Sequence, residues 1–342
     1  MSDYRFLKAC WGEPVDRTPV WLMRQAGRYL PQYMAVRSKV SFLELCKTPE
    51  LAAEVTIQPI DYLGADAAIL FSDILTPVEP MGLKLDFAPG PVFESPVRTQ
   101  ADIDALRIPV MEEDVPYVLE TIRILRREFE GRVPLIGFGG APFTLACYMV
   151  EGKGSKDFAQ IKRMMYSAPE SYASLMEKIT EMDRQYLNAQ IAAGAQAIQI
   201  FDTWGGIVSP GDYEKYILPY TTKLIEGLNR TGVPIIHFVK GAGTMLDLVK
   251  RAGSDVVGLD WHIGLGKARN LLGTEVAVQG NLDPTILYAP PEHIEREVKR
   301  ILDENDGRPG HIFNLGHGIL PTVPPEHAKF MVECVQRLSA KG

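Results

Sequence analysis

The sequence predicts an α/β chain of the (β/α)8 barrel class, with an open doubly wound sheet as the alternative. Three observations point there. Short apolar runs rich in Val, Ile, Leu and Phe recur eight times, at residues 19–23, 67–71, 134–138, 197–201, 234–238, 256–260, 276–279 and 312–315. These runs are near-continuous where a half-exposed strand would alternate, which marks strands buried on both faces, as in parallel sheets. Helical patterns fall between them, and no linker, low-complexity segment or fixed-period repeat divides the 342 residues, so the whole chain 1–342 reads as one domain.

The helical patterns lie at residues 49–63, 115–129, 158–193, 210–229 and 291–305, and a last one at 324–338 closes the barrel from outside. Several open on a proline or a short polar residue suited to a first helical turn. The chain exceeds the roughly 250 residues usual for this architecture, so insertions are expected. One is the Pro- and Gly-rich stretch 76–97, whose Gly82-Leu83-Lys84-Leu85-Asp86-Phe87 suggests a hairpin outside the barrel; another is the helical stretch after Tyr148.

With 46% hydrophobic residues the chain buries a substantial core, and a net charge of −7 argues against nucleic-acid binding, which needs a basic surplus. It does not argue against a small anionic ligand, because local arginines set the field inside a pocket. Cys10, Cys46, Cys147 and Cys334 form no CxxC pair, which fits reduced thiols in a cytosolic protein. Residues 1–20 are charged and lack an apolar core, so no export signal is expected. No stretch approaches the roughly 18 apolar residues of a membrane span.

In such a barrel the chemistry sits at the C-terminal ends of the strands. After the first run come Arg24, Gln25, Ala26, Gly27 and Arg28; after the second, Ser72 and Asp73; after the third, Gly139-Gly140-Ala141-Pro142-Phe143-Thr144, leading to Tyr148. The fourth ends at Asp202-Thr203-Trp204, the fifth at His237-Phe238-Val239-Lys240 and the sixth at Asp260-Trp261-His262. Asn281 and Asp283 follow the seventh, and Gly316-His317-Gly318 the eighth. Arginine presents a planar fork of donors that clamps carboxylates or phosphates two bonds at a time. Arg24 and Arg28, four apart, also fit the solvated face of a helix. Asp73 fits a helix cap, Tyr148 a core tyrosine and Thr203 a turn residue. His317, a polar ring between two glycines, needs a partner. His237, Asp260 and Asp283 are left unassigned between rim and structural roles. No HExxH, paired Cys/His ligands, complete GxGxxG, P-loop or GxSxG is present.

Arg24-Gln25-Ala26-Gly27-Arg28-Tyr29-Leu30-Pro31 resembles the N-terminal signature of the uroporphyrinogen decarboxylase family of tetrapyrrole (haem) biosynthesis. Gly139 to Thr144, running on through Tyr148-Met149-Val150-Glu151-Gly152, resembles its second signature. Phe71-Ser72-Asp73-Ile74-Leu75 and Asn314-Leu315-Gly316-His317-Gly318-Ile319 match as well. The similarity runs from about Phe6 to the C-terminal helix, in the family's order. It implies a distorted barrel that works without cofactor or metal, often as a homodimer with the two clefts facing each other. It also implies substrate contacts at Arg24, Gln25, Ala26, Gly27 and Arg28, and at Arg37, Phe42, Asp73, Tyr148, Thr203 and His317. Where some relatives carry serine, Thr203 keeps the hydroxyl.

The implied substrate, uroporphyrinogen III, is a cyclic tetrapyrrole with four acetates and four propionates. It loses the acetates as CO2 to leave the methyls of coproporphyrinogen III. Arg24, Arg28 and Arg37 would pair with its carboxylates. An ionised Asp73 has acceptors only, suited to gathering inward-pointing pyrrole N–H groups and to stabilising the cationic ring on which decarboxylation depends. The arginines are expected to keep Asp73 ionised. Catalysis is assigned to Asp73, Arg24 and Arg28, and the proton donor stays open among His317, Tyr148 and an arginine-held water. The rival readings are a corrinoid- or thiol-linked methyltransferase, which needs grouped His and Cys ligands for zinc, and a non-catalytic tetrapyrrole carrier.

Overall fold

The computed structural model describes residues 4–87 and 90–341; residues 1–3 and 342 of the predicted domain, and 88–89 of the predicted hairpin insertion, lie outside the described residues. In chain order the strands are β1 (Ala68–Ile69), β2 (Leu85–Phe87), β3 (Pro91–Phe93), β4 (Leu135–Gly140), β5 (Ala197–Asp202), β6 (Ile235–Val239), β7 (Val256–Gly258), β8 (Ala277–Gln279) and β9 (His311–Ile312). β2 and β3 form the expected antiparallel hairpin, with Leu85 opposite Phe93. The other seven form one sheet in the order β1-β4-β5-β6-β7-β8-β9. Every pairing in it is parallel, as Ala68 with Leu135, Ile198 with Ile235 and Val278 with His311 show.

The first predicted strand, 19–23, is the exception. It is reduced to a single parallel bridge, Val20 with Phe313. Phe313 N–H donates to Pro19 C=O (2.8 Å), Trp21 N–H to Phe313 C=O (3.3 Å) and Asp66 N–H to Val20 C=O (2.8 Å), so the segment still spans the gap between β9 and the chain entering β1. Side chains then take over the ladder. Gln25 Oε1 accepts from Leu22 N–H (3.2 Å) and Asn314 Oδ1 from Met23 N–H (3.0 Å). A backbone whose N–H groups bond side chains cannot pair with a neighbouring strand, and the chain turns out of the barrel. Below, the buried Asp66 carboxylate receives Val20 N–H (2.9 Å) and both Arg5 and Arg17, which pins the closure.

Helices Pro49–Leu63 and Pro291–Asn305 match their predicted bounds, and Pro116–Glu128 and Pro325–Ser339 lie within a residue of theirs. The long pattern 158–193 is two helices, Ala159–Ser167 and Pro169–Ala193, because a proline disfavours helical geometry in the residue before it and opens a new first turn. Short helices Pro31–Arg37 and Phe42–Lys47, not anticipated from periodicity, follow the arginine-bearing loop. Buried side chains fill the barrel: Trp21 Nε1 donates to Gln279 Oε1 (2.9 Å), and Gln279 Nε2 to Gln199 Oε1 (2.9 Å). Because β5 and β8 are not neighbours in the sheet, this chain of bonds crosses the interior. No helix among the described residues is long and apolar enough to cross a membrane.

Candidate active site

Arg24 and Arg28 are not on a helix. Arg24 has φ 63°, the left-handed region that L residues seldom occupy, and the next helix starts only at Pro31. Beneath this turn Gln25 is fully buried. Its carbonyl oxygen holds Leu22 N–H, its amide donates to Ala67 C=O (3.1 Å), and its backbone carbonyl receives Tyr29 Oη–H (2.9 Å). The Gln25 side chain therefore works from below the loop, with no polar atom left for the mouth. Gly27 is required sterically: a Cβ there would stand 2.8 Å from Arg24 C=O. Ala26 is half-buried beside it. Arg24 and Arg28 are exposed and make no hydrogen bond or ion pair among the described residues, and Arg37 donates only to Val40 C=O (2.5 Å). Three guanidiniums without carboxylate partners lie on this one stretch of chain.

Asp73 follows β1. Its Oδ1 accepts from Leu75 N–H (2.9 Å), and Thr76 Oγ1 receives Asp73 N–H (3.4 Å), so the turn-capping expectation holds for one oxygen. Oδ2 makes no hydrogen bond among the described residues. Burial raises the carboxyl above the ordinary carboxylate value, with the Leu75 N–H and then Arg24 pulling the other way. Desolvation outweighs the pull of the one guanidinium near enough to act, Arg24, which favours the ionised form. Phe42 backs the same loop, its ring 6.0 Å from Phe71 and 4.8 Å from Phe87 of the hairpin.

Tyr148 lies on helix Pro142–Glu151, half-buried, with its ring edge-on to Trp204 at 6.1 Å. Burial raises its phenol, Asp73 adds to the rise and Arg24 opposes it. His317 is half-buried 6.2 Å from the Phe238 ring. Burial, reinforced by Arg24 and Lys240 and opposed by Asp260, lowers its imidazole to about 4. The Arg24 charge thus acts on Asp73, Tyr148 and His317 together, which joins four strand ends in one electrostatic neighbourhood. Gly318 makes room for it, since a Cβ there would lie 2.4 Å from Arg24 Cδ. Thr203 is half-buried, and its hydroxyl makes no hydrogen bond among the described residues.

Two features escaped the sequence reading. Thr144 Oγ1 donates to Asp202 Oδ1 (2.7 Å) and accepts Trp204 N–H (3.1 Å), which fixes the loop that carries Thr203. Asp202 is buried, and desolvation pushes its carboxyl up to about 7, against the Thr144 hydroxyl and Gly205 N–H. Lys240 is the second, a cation that acts on His317 and stands 5.9 Å over the Trp261 ring. Both residues stood at strand ends, but no local pattern distinguishes them from ordinary loop residues. The unassigned positions are architectural. Asp260 accepts from Gly241 N–H (2.6 Å) and faces His262 Nδ1 (2.9 Å), Asp283 caps a turn through Thr285 N–H (2.9 Å), and His237 is wholly buried. Among the described residues no group of three or more His, Cys, Asp or Glu could hold a metal ion.

The model of the family described as Uroporphyrinogen decarboxylase (URO-D) matches residues 1–338. The chain belongs to the uroporphyrinogen decarboxylase family. The family's proteins named uroporphyrinogen decarboxylase include one from Geobacter sulfurreducens, 81% identical over 337 residues, covering 98% of this chain and 99% of that protein. One from Trichlorobacter lovleyi is 80% identical with the same coverage. Among solved structures, a methyltransferase from Methanosarcina mazei superposes with a TM-score of 0.83 at 24% identity, covering 97% of each chain. A B12-independent methionine synthase from Shewanella does so at 0.57 and 14%, covering 87% of this chain and 91% of that one. At such identities the likeness shows the barrel-like fold alone, a frame that the family shares with methyl-transfer enzymes.

Proposed function

We propose that Asp73, within the field of Arg24, is the electrostatic centre of the reaction. The chain is a carboxy-lyase that decarboxylates uroporphyrinogen in haem biosynthesis, as its family membership and relatives about 80% identical over nearly their whole length establish. In our reading the four acetates of uroporphyrinogen III become methyls, giving coproporphyrinogen III. The observation that supports the site assignment is an Asp73 oxygen without a hydrogen bond, within the field of Arg24, on a rim where Arg24, Arg28 and Arg37 have no carboxylate partner among the described residues.

Arg24, Arg28 and Arg37 hold the acetate and propionate arms, and Asp73 faces the pyrrole N–H groups. Phe42, Tyr148 and Thr203 complete the wall around the macrocycle. Protonation of the ring carbon bearing the acetate makes a cationic, iminium-like ring. The bond from the acetate CH2 to its carboxylate then breaks, CO2 leaves, and the electron pair flows into the ring. The resulting methylene takes a proton as the ring carbon gives one up, so each acetate consumes one proton net. Asp73 carboxylate is aimed at the cation formed midway, where a preorganised charge lowers the barrier most. His317, neutral above about pH 4, has no imidazolium proton to give at neutrality and serves as a hydrogen-bond partner. The raised Tyr148 phenol is a weak acid. The same reading makes 1–342 one domain of a cytoplasmic homodimer that binds neither nucleic acid nor membrane, in keeping with the net charge of −7.

The test is an Asp73 series followed by CO2 release from anaerobically reduced uroporphyrinogen. Asp73→Ala loses most turnover, and Asp73→Glu retains more than Asp73→Asn because the charge is what matters. Near-normal rates in Asp73→Asn refute the electrostatic role.

A further inference from the structure

At the opposite end of the barrel, below the N-terminal ends of β7, β8 and β9, lies a cavity of about 150 Å³ lined by Trp11, Asp255, Arg269, Glu275 and Arg308, among others. Its charges do not cancel as they stand. Asp255 is already paired with Arg230, and Glu275 with Lys250. Arg269 and Arg308 have no carboxylate partner among the described residues. Among the described residues Arg269 bonds only backbone carbonyls, those of Val276 (3.5 Å) and Pro309, although the residue is 4% exposed and its Nε has no partner there. Arg308 donates to Asn305 C=O (2.9 Å), Glu304 C=O (3.1 Å) and Asn270 Oδ1 (3.3 Å), again neutral acceptors.

A guanidinium out of water without an anion is costly, and a second one beside it makes matters worse. Burial and the Arg308 charge both press Arg269 below its ordinary value, in a direction an anion would reverse. We propose that this cavity is a binding site for a small oxyanion, phosphate or a short carboxylate, clamped between Arg269 and Arg308 beneath the Trp11 ring. Sites for drug-sized ligands occupy roughly 300–1,000 Å³, so a cavity this small excludes the tetrapyrrole and admits only a few heavy atoms. The site is remote from Asp73, because strands run the length of the barrel between them.

Calorimetric titration of the full chain with inorganic phosphate, and separately with succinate, at constant ionic strength tests the assignment and tells the two sources apart. Saturable binding is expected from one of them, with a rise in Tm that follows ligand concentration. Arg308→Gln weakens it about 10-fold or more, as removal of a charge-assisted bond should, and leaves decarboxylation without added anion unchanged. Glu275→Gln, which removes a negative charge from the lining, moves the affinity the other way. Opposite shifts from the two substitutions are not what a fold defect produces. Binding absent with both probes, or equal in wild type and Arg308→Gln, overturns the proposal.

Discussion

Gly318→Ala is the perturbation whose effect can be worked most directly from the geometry. The glycine has an ordinary backbone conformation, so alanine adds only a methyl group. That methyl would stand 2.4 Å from Arg24 Cδ and 2.8 Å from Cγ and Nε. Carbon atoms in contact settle near 3.5–4.0 Å, so the guanidinium must move by about 1 Å or more. It cannot be carried by its own backbone, which is held at φ 63° by the Gln25 bracket below. A displacement of about 1 Å in a positioning group costs about 100-fold in rate, or about 2.7 kcal/mol of transition-state stabilisation. Stability should change by less than about 1 kcal/mol, since the side chain displaced is an exposed one. The assay is kcat/KM for CO2 release from reduced uroporphyrinogen III beside a thermal melt. A double-mutant cycle completes it: if the methyl acts only through the guanidinium, Gly318→Ala adds nothing further to Arg24→Ala. A folded Gly318→Ala enzyme with near-wild-type kcat/KM, or additive losses in the cycle, refutes the reasoning.

Three further outcomes are expected. Arg28→Ala raises KM and flattens the salt dependence of substrate binding, measured by titrating KCl; an unchanged salt slope removes the carboxylate clamp. The His317 imidazole, followed by NMR, titrates near pH 4 and not near 6.5. Its depressed value means that it stabilises the fold above pH 6.5 and loses that contribution as pH falls towards 4. Stability of His317→Gln relative to wild type should therefore improve across that window, by of order 3 kcal/mol, and a flat difference in urea unfolding between pH 7 and 4 contradicts the burial argument. Gln25→Ala leaves Leu22 N–H and Ala67 C=O unpaired in a buried place, which should cost about 2–5 kcal/mol in urea unfolding and disorder the arginine loop. An unchanged midpoint shows that the loop is held by something else.

Much of this was legible in the residues. Apolar runs at 134–138, 197–201 and 234–238 became β4, β5 and β6 because near-continuous apolarity suits a strand buried on both faces, with Gln199 and His237 the buried polar exceptions. The run at 19–23 has the same composition and failed to become a strand, because Gln25 and Asn314 occupy the hydrogen bonds that a ladder needs. The rule that chemistry gathers at strand ends pointed to Arg24, Asp73, Tyr148, Thr203 and His317, and the structure brings Arg24 within the electrostatic reach of Asp73, Tyr148 and His317. The rule named Asp202 and Lys240 without finding their partners, Thr144 and His317, which come from distant parts of the chain.

By itself, then, the order of residues determined the barrel class, the rim on which the polar groups meet and the family signatures that name the chemistry. These depend on local pattern, apolar periodicity and short motifs, which need no neighbours to be read. Only the tertiary structure decided the state of those groups: Asp73 raised by burial, His317 pushed by burial towards its neutral form, Gln25 turned inward and Arg24 set against Gly318. Charge state and reach depend on desolvation and on atoms brought together from distant parts of the chain, and folding alone sets those distances.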